Sequence, residues 1–168
     1  MTFQLETERL VLREFAVEDA LGFYQMNDNA EVLQYTGDKP FRDPEAAAAF
    51  ILSYNHYKVH GYGRWTIVRK TDQAYLGFCG LKYHPETEEV DLGFRLIRNE
   101  WGRGYATEAA SACLEYGLNQ LKLPRIIGRV RQVNTASVKV LEKIGMKRVG
   151  AFDFEGHPAW LYESIRAD

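Results

Sequence analysis

The feature that most constrains this chain is the run Asn99-Glu-Trp-Gly-Arg-Gly-Tyr-Ala-Thr107, set between a strand-like segment and a long amphipathic one. Gly102 and Gly104 remove side chains where backbone N–H groups must approach a bound anion closely. A helix starting directly behind them adds unpaired N–H donors and the positive end of its dipole. Together they form a cradle for a phosphate or diphosphate.

Two phosphate-binding classes do not fit. A nucleoside-triphosphate loop needs G-x-x-x-x-G-K-[ST], and no glycine pair here is followed by Lys and Ser or Thr at that spacing. The dinucleotide fingerprint needs a third glycine in a first βαβ unit. Here Thr107 stands in its place, the loop lies past mid-chain, and no repeated βαβ pattern follows.

A third class does fit. Trp101-Gly-Arg-Gly-Tyr-Ala-Thr-Glu-Ala109 resembles the acyl-CoA loop of the GNAT (general control N-acetyltransferase) superfamily, whose pattern is Q/R-x-x-G-x-G/A, in the form of its RimJ/RimL-type branch. Thr7-Glu-Arg-Leu-Val-Leu-Arg13 with Asp19 is similar to that branch's first strand and the helix start after it. Asn134-Thr-Ala-Ser-Val-Lys-Val-Leu-Glu-Lys-Ile-Gly-Met146 is similar to its second cofactor motif, N-x-x-S-x-x-x-L-E-K-x-G-F. One departure is Asn99, which stands where the first loop position is Gln or Arg.

The bulk properties agree with one soluble domain over residues 1–168. A hydrophobic fraction of 46% and a charged fraction of 26% are ordinary for a globular protein. The net charge of −2 gives no nucleic-acid footprint. Lys122, Arg125, Arg129 and Arg131 form a loose basic group, read as solvated side chains around a strand or as partners for cofactor phosphates. Two cysteines, Cys79 and Cys113, make no disulfide framework. With neither a secretory signal nor a membrane-length apolar run visible, a reducing, cytoplasmic setting is expected.

Periodicity predicts strands at 9–15, 65–69, 75–83, 89–97, 125–130, 147–154 and 159–165, and helices at 18–27, 43–60, 105–121 and 134–145. Asp43-Pro44-Glu45 marks a helix start and Gly61 its end. The expected class is α/β (α+β), a mixed, mostly antiparallel twisted sheet of about seven strands with about four helices. The resemblance makes this the GNAT fold, with central strands that splay to admit the pantetheine arm.

The resemblance also implies the chemistry. Acetyl-CoA would be the cosubstrate, without a metal, and its acetyl group would pass to a primary amine, either a small molecule or a protein N-terminus. Attack would be direct, in a ternary complex. A non-catalytic acyl-CoA-binding sensor or scaffold is the alternative. Nucleic acid and membrane are not expected partners, and a homodimer is compatible with the branch.

The cofactor would meet Phe94, Leu96 and Ile97 along a strand edge, then Arg98, Asn99, Gly102, Arg103, Gly104, Tyr105, Ala106 and Thr107, and finally Asn134 and Ser137. Asn134 and Ser137 are also ordinary helix N-terminal residues. By resemblance Ser137 lies near the sulfur and donates to the departing thiolate. Asp91 and Glu89 are the candidate bases for the incoming ammonium, with Asp153 and Glu155 behind them. His56 and His60 stand at i, i+4, but Tyr57 occupies the place of the glutamate in a zinc-protease motif. They are read as a solvent-facing pair. Tyr54, Tyr57, Tyr62 and Trp65 are read mainly as core; the alternative is that they wall the acceptor pocket together with the Tyr35-Thr-Gly37 loop.

Overall fold

In the computed structural model, which describes residues 3–167, eight strands form one sheet in the order β1-β2-β3-β4-β5-β6-β8-β7. They are β1 (Gln4–Glu6), β2 (Leu10–Arg13), β3 (Arg64–Arg69), β4 (Tyr75–His84), β5 (Glu89–Leu96), β6 (Arg125–Arg131), β7 (Lys147–Phe154) and β8 (His157–Ile165). The mostly antiparallel sheet is as expected, with the short β1 added at its edge. The one parallel neighbour pair is β5 with β6, registered only at Asp91↔Ile127. Beyond that point the strands part, and the backbone groups of a parted edge require partners from elsewhere.

Six helices cover the sheet: α1 (Ala20–Asn27), α2 (Ala30–Leu33), α3 (Pro44–Ser53), α4 (His56–His60), α5 (Tyr105–Glu115) and α6 (Thr135–Lys143). Three differ from their sequence pattern. α2 lies between the helices expected at 18–27 and 43–60, where periodicity predicts none; Asn29 nucleates it by accepting from the N–H groups of Glu31 and Val32. The helix expected over 43–60 breaks in two, because Tyr54 turns extended (ψ 106°) and its hydroxyl accepts from the Arg64 N–H at 2.9 Å. α5 ends at Glu115 and passes into a π-helical turn at Tyr116–Gln120. There Gly117 lies against Ile126 and Leu81, where a β-carbon would come within 2.6 Å of the former.

The core lies between the sheet and α5, with Trp65, Ile67, Leu81, Ile126 and Tyr162 essentially inaccessible. Each such side chain contributes about 1.5–3 kcal/mol of transfer free energy. On the opposite side, Asp19 pins the entry to α1. It accepts from both terminal nitrogens of Arg13 at 2.8 and 2.9 Å, from the Ala16 N–H and from the Thr66 hydroxyl. This cluster joins Arg13 and Asp19, six positions apart, into one structural unit.

Candidate active site

The parting of β5 and β6 opens two cavities that meet. The first, about 580 Å³, runs from the start of α5 to the start of α6 and is lined by Leu96, Gly102, Gly104, Tyr105, Ala106 and Thr107. The second, about 620 Å³, lies toward α1, α3 and the loop before α3. Tyr35, Thr36, Phe94, Arg95, Asn134 and Ser137 line both.

At the mouth of the first cavity the chain turns through two left-handed residues, Gly102 (φ +79°) and Gly104 (φ +82°), into α5. An L side chain there is strained by about 1–2 kcal/mol. No side chain caps the helix, so its first N–H groups remain free for an anion. The loop is held from below. Glu108, one turn into α5, accepts from the Thr7 hydroxyl at 2.5 Å, the Arg9 N–H at 2.8 Å and Arg9 Nε at 2.7 Å. Arg9 Nη1 donates to the Arg103 carbonyl at 3.0 Å, and its guanidinium lies over the Tyr105 ring. The N-terminal motif is therefore the buttress of the glycine loop and the start of α5.

Not every residue expected at the cofactor lines this cavity. Ile97 donates its N–H to the Leu76 carbonyl at 2.9 Å and is unavailable. Arg98 pairs with Glu31 at 3.1 Å and stacks on Trp101. Asn99 is exposed, and Arg103 stands at 3.5 Å from Glu100, outside the lining. Pocket-lining residues beyond the expected set come from α2, α6 and the turn before α6, notably Val32, Val140 and Val133.

Asn134 does serve as a helix cap: its Oδ1 accepts from the Ser137 N–H at 3.3 Å. The Ser137 hydroxyl is half-buried at the junction of the cavities and makes no hydrogen bond among the described residues.

The two candidate bases fare differently. Glu89 lines neither cavity; its oxygens are taken by Arg125 at 2.7 Å and Arg129 at 3.0 Å. It braces β5 against β6, apart from the two cavities in which a base for the incoming amine is expected. Asp91 does line the second cavity, buried between Arg64, whose Nη2 donates at 2.7 Å, and the His84 ring. Burial alone would raise its carboxyl, but the Arg64 and His84 interactions outweigh that and hold it well below the usual range. A carboxylate so satisfied is a poor proton acceptor; it is suited to orienting the imidazole instead.

Arg64 reaches Asp91 across two glycines. Its Nη1 donates to the Gly80 carbonyl at 2.8 Å, and a β-carbon on Gly93 would lie 2.6 Å from Nη2. His84 was absent from the sequence reading; its only signal is the shared face of His84 and Asp91 on paired strands.

His56 is not a solvent-facing partner of His60. Its Nδ1–H donates to the Tyr62 carbonyl at 2.6 Å and its Nε2 accepts from the Tyr83 N–H at 3.0 Å. Desolvation lowers its pKa. Among the expected acceptor-pocket residues, Tyr35 and Thr36 line the cavity, as does Tyr54, while Trp65 belongs to the core. Asp153 and Glu155 sit at the β7–β8 turn; Asp153 accepts from the Gly156 N–H at 2.9 Å.

Residues 9–147 match the acetyltransferase (GNAT) domain family. The chain belongs to the GNAT acetyltransferases. It is an acyltransferase, and members of this family use acetyl-CoA. It is 34% identical over 154 residues to a protein of Bacillus licheniformis named uncharacterized N-acetyltransferase p20, covering 90% of this chain and 86% of that one. A GNAT-family acetyltransferase of Bacillus anthracis superposes with a TM-score of 0.85 at 25% identity, covering 97% and 98% of the two chains. RimL, a ribosomal L7/L12 alpha-N-protein acetyltransferase solved with coenzyme A, shares the fold at a TM-score of 0.82 and 15% identity, over 98% of each chain. Among the described residues no helix is long and apolar enough to cross a membrane.

Proposed function

We propose that this GNAT enzyme transfers the acetyl group of acetyl-CoA directly to a primary amine, with the thioester in the first cavity and the amine in the second. The observation that carries this reading is their junction: Phe94, Asn134 and Ser137 line both spaces, and one of the two ends at the free N–H groups of α5.

The residues present fit acetyl-CoA. The α5 amides and the left-handed glycines accommodate a diphosphate, and the parted edge of β5 at Phe94 and Leu96 offers backbone partners to the amides of the pantetheine arm. The bound thioester supplies a carbonyl carbon for attack. Placing amine and thioester in adjoining spaces supplies the proximity on which such a reaction depends.

The amine nitrogen forms the new C–N bond, and the C–S bond breaks to release a thiolate. His84 takes one proton from the bound ammonium so that the neutral amine attacks, and the second proton leaves the nitrogen as the C–S bond breaks and ends on the departing thiolate. Asp91 is the positioning residue of His84, and Arg64 fixes Asp91. The Ser137 hydroxyl donates to the departing sulfur. Free thiols titrate near 8.5, so the thiolate leaves readily and this donation contributes modestly.

A thermal-shift titration with acetyl-CoA, CoA and NAD tests the reading. Saturation to a hundred dissociation constants adds about 2.7 kcal/mol to stability. A rise with both CoA species and none with NAD supports it. No rise with either CoA species overturns it.

A further inference from the structure

Among the arginines lining the second cavity, all but one are neutralised. Arg64 pairs with Asp91 at 2.7 Å, Arg95 with Asp38 at 2.7 Å, and Arg129 with Glu89 at 3.0 Å. Arg131 has no carboxylate partner among the described residues. Its Nη1 reaches only the Gln34 carbonyl, at 3.4 Å, and its Nε is buried with no hydrogen bond. A guanidinium presents a planar fork suited to a two-oxygen anion, and a buried nitrogen left without a partner is costly unless a ligand fills it.

The surroundings point the same way. Lys39 and Lys82 line this cavity, exposed and without a carboxylate partner among the described residues. Its two carboxylates, Asp38 and Asp91, are both already held by arginines. The space therefore carries a surplus of positive charge, which repels a polycationic amine. Arg131 does not line the first cavity, so its charge is not spent on the cofactor there. It is tied to the junction by the hydrogen bond from the Asn134 N–H to its carbonyl, at 3.0 Å.

We propose that the acceptor is an amine that also carries an oxyanion group close to its amino nitrogen, as an amino acid does, and that Arg131 receives that group. This rests on the acetyl-transfer reading. The positive surroundings also favour the neutral, nucleophilic form of the amine over its ammonium. Exposed Phe50 with Phe41 and Phe23 gives the same cavity an apolar wall, so an aromatic or aliphatic body on the acceptor is accommodated.

The test compares amines that differ only in the oxyanion: phenylalanine, its phosphonate analogue, and phenethylamine. Thiol release is followed in the wild type, Arg131→Gln and Lys39→Gln. The expected result is a kcat/KM at least tenfold higher for an oxyanion-bearing amine, a ratio that falls toward one in Arg131→Gln while the Kd for acetyl-CoA is unchanged. The carboxylate and phosphonate arms separate the two sources of the anion. Lys39→Gln lies in an exposed loop and lowers the ratio partially, which keeps the proposal open to refutation if Arg131→Gln fails to fold. Equal rates on all three amines, or a ratio indifferent to both variants, overturn it.

A calorimetric titration of the same three compounds into the CoA complex reads the preference independently of turnover. Preferential binding of the anionic pair without thiol release counts against the acetyl-transfer reading and leaves the anion site standing. Thiol release with no anion preference does the reverse.

Discussion

Arg9 and Glu108, 99 positions apart in the chain, are joined by two hydrogen bonds to one carboxylate: the Arg9 backbone N–H to Oε2 at 2.8 Å and Nε to Oε1 at 2.7 Å. The same guanidinium holds the Arg103 carbonyl inside the anion loop. Glu108 therefore transmits the position of the first strands to the start of α5.

Replacing Glu108 with Gln keeps its volume but removes the charge that both Arg9 and Thr7 address. The loss expected is about 1–2 kcal/mol of stability, since these are charge-assisted bonds with partial access to solvent. Urea denaturation measures it. Calorimetry should show weaker acetyl-CoA binding by severalfold, because the loop loses its buttress. Unchanged affinity would separate the buttress from the cofactor.

Gly102→Asp and Gly104→Asp place a carboxylate where the diphosphate is expected. Space is not limiting, since a β-carbon at Gly102 meets nothing within 4 Å. Strain at positive φ costs about 1–2 kcal/mol at each site, so the double variant remains folded in a domain of ordinary stability. Affinity for CoA should fall beyond detection. Retained affinity in a folded double variant contradicts the loop assignment.

Asp91 gives a pH prediction with a definite sign. Its folded carboxyl is depressed, so its contribution to stability is complete above the unfolded value of about 4 and fades as pH falls through that value toward the folded one. Asp91→Asn should lose about 3 kcal/mol at pH 7, leaving the buried Arg64 without its counter-ion. Melting temperatures of the two proteins should stay a constant distance apart from pH 7 down to about pH 4 and begin to approach each other only as pH falls from there to pH 3. Parallel curves throughout would contradict the pairing.

The proton path is tested by His84→Gln and Ser137→Ala. The first should lower kcat by about a hundredfold and alter the pH–rate profile; the second should lower it about tenfold. Neither should change the Kd for acetyl-CoA much. A pH–rate profile unchanged in His84→Gln would remove it as the proton acceptor.

The glycine turn and the helix start behind it could be read from the sequence because they are local: two left-handed glycines and the first helical residue lie within a few positions. The Arg64–Asp91–His84 cluster could not. It spans three strands and depends on Gly80 and Gly93 being bare enough for an arginine to cross them. The break at Tyr54 was likewise hidden, because helical periodicity continues through it and a hydrogen bond to β3 ends the helix. Glu89 looked like a base beside Asp91, yet its neighbours in space are two arginines from β6. Alternation along a strand specifies a face and does not specify what the next strand brings to it.

The most direct test of acetyl transfer at the junction of the two cavities is thiol release from acetyl-CoA with and without a panel of primary amines, read together with the mass of the amine product. The account predicts amine-dependent release, one thiol for each acetylated amine, with no acetyl group left on the protein. Tight acetyl-CoA binding without amine-dependent release, or an acetylated protein as the intermediate, would contradict it.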